Sequence, residues 1–127
     1  MQDQHLYEYA VIRVVPKVER EEFVNVGVIL FCKKQRYLRT LVALSHAKLQ
    51  AIAPDMDFAE VCTYLDALQN IAQGKKDSGP ISMLDHASRF RWLTATRSTV
   101  VQTSRIHPGF SSSLDGALEK LMQQYVL

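Results

Sequence analysis

An α+β fold, built as a mainly antiparallel sheet of about four strands with helices packed against it, follows from three observations. Two runs, residues 6–15 and 23–32, are rich in Val, Ile and aromatic side chains and apolar on both alternating faces, the pattern of strands covered on both sides. The second run is joined to a third, residues 37–44, by the four polar residues 33–36, a connection short enough to make the pair an antiparallel hairpin. Residues 58–73 instead place Phe58, Val61, Cys62, Leu65, Leu68 and Ala72 at helical spacing.

The first strand, 6–15, stops at Pro16. Tyr7, Tyr9, Val11, Arg13 and Val15 share one of its faces, and Glu8, Ala10, Ile12 and Val14 the other. Residues 17–22 make a charged connector. In the strand 23–32, Asn25, Gly27, Ile29 and Phe31 alternate with Val26, Val28, Leu30 and Cys32, and Gly27 marks a bulge or a close backbone approach. Ser45 caps a short helix, 46–53, that ends before Pro54. Asp55 or Asp57 caps the helix 58–73, and Gly74 closes it. After a loop at 75–80, Asp85 can cap one or two helical turns through Arg91. Residues 98–104 alternate as a half-buried strand, and 106–113 read as a loop around Pro108-Gly109. Ser112 or Ser113 caps a last helix, 114–125, with Leu114, Leu118, Leu121, Met122 and Tyr125 on one face. A βαβ crossover is possible only between residues 44 and 98.

The chain of 127 residues fits a single domain, 1–127. Its ordinary apolar and charged fractions, 47% and 22%, exclude a disordered chain. No apolar run reaches bilayer length and no leader precedes the first strand, so a cytoplasmic protein without a membrane association is expected. Cys32 and Cys62 sit in apolar runs and are expected as buried, reduced thiols. A net charge of +2 is too small to imply nucleic acid. The excess lies in the C-terminal part: residues 75–127 carry seven Lys or Arg against four Asp or Glu.

Residues 86–114 contain no Asp, Glu or Lys, but hold Arg89, Arg91, Arg97, Arg105, His86, His107, the only tryptophan, Trp92, and a crowd of hydroxyls. Guanidinium is a planar fork that grips carboxylate or phosphate oxygens in pairs, and hydroxyls add neutral hydrogen bonds. The candidate anion site is therefore Arg89, Arg91, Arg97, Ser98, Thr99 and His107. The competing expectation ties these arginines to Glu8, Glu22 or Asp85 as structural pairs. Glu8, at a strand end, is expected to be exposed.

Other chemistry is thinly supported. Glu19, Glu21, Glu22 and Asn25 lack the spacing of a metal loop, and no metal or cofactor is expected. Neither the serines nor the cysteines lie in a nucleophile elbow. Phe90 and Trp92 interleave with arginines as in single-strand nucleic-acid platforms, yet both rings are expected in the core.

The segments 7–16 and 19–28, followed by Arg89-Phe90-Arg91-Trp92-Leu93-Thr94-Ala95, Arg97-Ser98-Thr99-Val100-Val101-Gln102 and His107-Pro108-Gly109, together resemble a bacterial family labelled domain of unknown function 3037 over nearly the whole chain. The resemblance implies no activity and no catalytic residue. It implies one partner, a HipA-like kinase encoded nearby, for which Ser111-Ser112-Ser113 is the acceptor to test. The expected function is a non-enzymatic accessory or binding protein that recognises an anionic, phosphate-like group or such a partner. The alternative is a small phosphoester-processing enzyme with an arginine-rich site and His107 as its acid or base.

Overall fold

The computed structural model describes residues 3–97 and 99–127, without the side chain of Val18. Five strands and four helices follow one another as β1 (His5–Val14), β2 (Val24–Cys32), β3 (Tyr37–Val42), α1 (His46–Ile52), α2 (Phe58–Gln73), α3 (His86–Leu93), β4 (Val101–Thr103), β5 (His107–Ser111) and α4 (Leu114–Tyr125). The strands form one sheet in the order β3-β2-β1-β4, and β5 pairs with β1 beside β4. Every pair is antiparallel, so the helical middle makes no parallel crossover.

Both faces of the sheet are covered, which is why its inner strands are apolar on both sides. Ala10, Ile12, Val14, Val26, Ile29 and Phe31 pack under α1, α2 and α3 through Leu49, Val61, Leu65, Leu68, Phe90 and Leu93. Val28, Leu30 and Cys32 pack under α4 through Leu114, Leu118, Leu121 and Met122. The expected caps are present. The side chains of Ser45, Asp57, Asp85 and Ser113 accept from the backbone N–H of Lys48, Glu60, Ser88 and Gly116, and Gly74 closes α2 at φ +68°.

Gly27 serves both purposes that a glycine in a strand can. A β carbon there would lie 2.4 Å from the carbonyl oxygen of Leu41 on β3, and the β1–β2 register slips by one residue beside it. The slip corrects the expected face pattern. Val26 turns away from Val28, Leu30 and Cys32 and joins the core under α2, with Val24 packed against it. A bulge adds one residue and so reverses the alternation beyond it.

Further corrections concern the C-terminal half. The strand expected at 98–104 runs only from Val101 to Thr103, and Ser98 lies outside the described residues. Most of the expected 106–113 loop is β5. Together β4 and β5 are one broken edge strand along β1. Between the pairs Ile12–Thr103 and Tyr9–His107, three residues face two. The extra residue is absorbed at Ser104, whose Oγ accepts the Val11 N–H at 2.9 Å while its own N–H donates to the Val11 carbonyl. Of the two thiols, Cys32 is buried, but Cys62 is only half-buried, because it stands off the core stripe of α2. Both are free.

Candidate functional site

Helix α3 decides where the arginines go. Successive residues of an α-helix turn by about 100°, so Arg89, Phe90, Arg91 and Trp92 point four ways. Arg89 turns inward and is 8% exposed. It donates to the Leu84 carbonyl at 2.6 Å and to the Ala72 carbonyl at 3.4 Å, and its guanidinium lies against Gly74. It clasps the C-terminal end of α2 to the start of α3, where a cation also meets the negative end of the helix dipole. Phe90 is fully buried and stacks on Phe31 with centroids 5.0 Å apart.

Arg91 reaches β1. Its Nη1 and Nη2 donate to the two carboxylate oxygens of Glu8 at 3.1 and 2.9 Å. Glu8 is thus paired rather than simply exposed, and the two-pronged geometry leaves Arg91 already holding a carboxylate. Trp92 points outward and is 40% exposed, a correction to its expected place in the core. The chain then doubles back, and Arg97 returns over this ring with its Cζ 4.1 Å from the centroid. Its Nη2 donates to the Trp92 carbonyl.

Beside this stack lies a groove of about 450 Å³. Tyr64, Leu68 and Ile71 of α2 form one wall, and Trp92, Leu93, Arg97, Thr99 and Val101 the other. Among the described residues, no carboxylate lines it, and Arg97 is its one charged lining residue. At its rim the Tyr64 hydroxyl donates to Glu60 at 2.7 Å, and that carboxylate holds the phenol above its ordinary value. Thr99 folds its hydroxyl onto the Val101 carbonyl at 2.7 Å.

His107 lies elsewhere. It pairs with Tyr9 on β1, and their rings are 5.4 Å apart on the α4 side of the sheet, opposite the groove. The Tyr9 and Tyr125 hydroxyls share a hydrogen bond of 3.1 Å. Burial first, and Tyr125 second, push the Tyr9 phenol up to about 12.

Of the six expected site residues, the structure therefore brings Arg97 and Thr99 to one groove. It commits Arg89 to backbone carbonyls and Arg91 to Glu8, and it sets His107 on the other face. The expectation for Ser98 falls outside the described residues. Tyr64, Ile71 and the exposed ring of Trp92 were missed. Their signal is present on α2, where Tyr64 and Ile71 widen the apolar face beside the core residue Leu68 beyond what one packed face requires. Among the described residues there is no group of three His, Cys, Asp or Glu side chains placed to hold a metal, and no helix long and apolar enough to cross a membrane.

A family model described as "Protein of unknown function (DUF3037)" matches residues 9–126. Among curated proteins and among solved structures, nothing matches the chain.

Proposed function

The chain belongs to the DUF3037 family, and from that premise we propose that it is a binding protein whose groove takes an apolar group flanked by an anion. The observation that carries this reading is the Arg97–Trp92 stack at the lip of an acid-free groove. An apolar side chain would fill the space between Leu68, Ile71 and Leu93, and the carboxylate or phosphate beside it would meet the free edge of the Arg97 fork. A partner protein's segment fits this chemistry, and a HipA-like kinase is the partner to test first. The separation of His107 from Arg97 favours binding over the phosphoester-processing alternative, which needs an acid or base beside the arginine.

Because Trp92 is the only tryptophan, it reports directly on the groove. Titration with short peptides carrying Leu or Phe next to Glu or phosphoserine should shift its fluorescence saturably. Arg97→Ala should weaken that binding about tenfold or more, as loss of a charge-assisted hydrogen bond does, with the melting temperature held. Unchanged affinity in Arg97→Ala would remove the groove's anionic preference. Pulldown of the co-expressed kinase, lost in the same variant, would identify the partner.

A further inference from the structure

The wall of the groove that Val101 forms is also an edge of the sheet. Among the described residues, β4 pairs with β1 and with no other strand. In this ladder the Val15 N–H donates to the Val100 carbonyl at 2.6 Å, and the Ser104 N–H to the Val11 carbonyl at 2.8 Å. Residues 100, 102 and 104 therefore turn their backbone groups to β1, and by alternation Val101 and Thr103 turn theirs to the open side. The Thr99 hydroxyl marks this direction, because it reaches the outward Val101 carbonyl at 2.7 Å. Among the described residues, no hydrogen bond holds the Val101 N–H or either backbone group of Thr103. Further along the same edge, Pro108 blunts β5 by offering no N–H, whereas β4 contains neither a proline nor a charge.

Building on the reading of the groove given above, we propose that it takes its partner by strand addition. A short extended segment of the partner protein pairs antiparallel with β4, with an apolar residue opposite Val101 and an acidic residue two positions later. Directly paired residues turn to the same face. The apolar side chain therefore turns with Val101 into the groove, which at about 450 Å³ has room for it. Its immediate neighbours turn to the other face. The next side chain on the groove face comes abreast of Thr99, where Arg97 is the charged lining residue. Antiparallel order places that acid after the apolar residue. The residue opposite Thr103 exchanges two backbone hydrogen bonds with it. The residue opposite Val101 accepts from the Val101 N–H and donates where the Thr99 hydroxyl now sits. The edge thus binds any extended chain, and the acid-free groove selects one with this spacing.

The test uses the full ¹⁵N-labelled chain and a capped peptide, Thr-Thr-Thr-Leu-Thr-Glu-Thr. Trp92 fluorescence reads occupancy of the groove, and hydrogen exchange at the Val101 and Thr103 amides reads pairing. Saturating peptide should slow exchange at both amides about tenfold or more. Methylating the peptide nitrogen two residues before Leu, which faces the Thr103 carbonyl, should weaken binding about tenfold, as loss of one hydrogen bond with its acceptor left unmet does. Methylating the nitrogen one residue before Leu, which faces away from β4, should leave binding unchanged. Moving Glu to two positions before Leu should weaken it. A saturable Trp92 response with both amides still exchanging freely, equal effects of the two methylations, or tighter binding of the reversed order would overturn the proposal and leave the groove as a side-chain pocket. No Trp92 response to this peptide or to those with the acid next to the apolar residue would overturn the groove reading itself, and strand addition with it.

Discussion

Tyr9 carries a pH signature at the alkaline end. Its folded value is raised from 10.0 to about 12, so the folded state holds this proton more tightly than the unfolded chain. That contribution to stability is whole below pH 10 and is lost as the pH rises through about 12. Thermal unfolding followed across this window should fall less steeply in Tyr9→Phe than in the unmodified protein. Gly27 offers a steric test. A methyl group there meets the Leu41 backbone, which cannot yield without breaking the β2–β3 ladder. Gly27→Ala should cost about 1–3 kcal/mol in denaturant unfolding, the usual range for overpacking. For the thiols, labelling should reach Cys62 in the folded protein and Cys32 only on unfolding. The site was partly legible at this scale. The acid-free window contains both Arg97 and Thr99 of the groove, but absence of acids nearby in sequence says nothing of acids nearby in space. Arg91 meets Glu8 across 83 positions of chain, a pairing that no local window contains.

Among the elements, β1, β2, the 33–36 hairpin and helices α2 and α4 were legible because each repeats a strong period between recognisable stops. β5 was not, because Pro108-Gly109 is turn punctuation. The structure shows why both residues suit this strand. The bonds of Val11 and Val15 to β4 and its flanks set the odd residues of β1 toward this edge. By alternation along the pairs, Pro108 then turns its nitrogen to the open side, where no N–H is required. Gly109 lies under the Tyr7 ring, which a β carbon would strike at 2.4 Å. The face change at Val26 escaped for a similar reason: Gly27 signals that a bulge is possible, but only pairing with β1 fixes where the extra residue goes. Arg89 is the residue through which α2 and α3 act as one element. Arg89→Met should leave the Leu84 and Ala72 carbonyls without their donors and cost about 1–3 kcal/mol. Peptide binding in the groove, measured below the melting temperature, should be unaffected.

For the whole molecule, the two-sided sheet means that neither helical layer is dispensable. Leu118 is 3% exposed in the layer made by α4 alone, and Leu118→Ala should cost about 2–5 kcal/mol. It should also speed hydrogen exchange in β2, which both layers share. The strand order has a further consequence, for the timing of synthesis. β1 pairs with β2 soon after both leave the ribosome, but its other neighbours, β4 and β5, are made about 90 residues later. At translation rates of about 5–20 residues per second, that delay is roughly 5–20 s. Throughout it, the second edge of β1 and the tyrosine-bearing face awaiting α4 stand open. A ribosome-stalled chain ending at residue 100 should therefore remain protease-sensitive and hold a chaperone, and a chain whose residues 101–127 have all cleared the exit tunnel should release it.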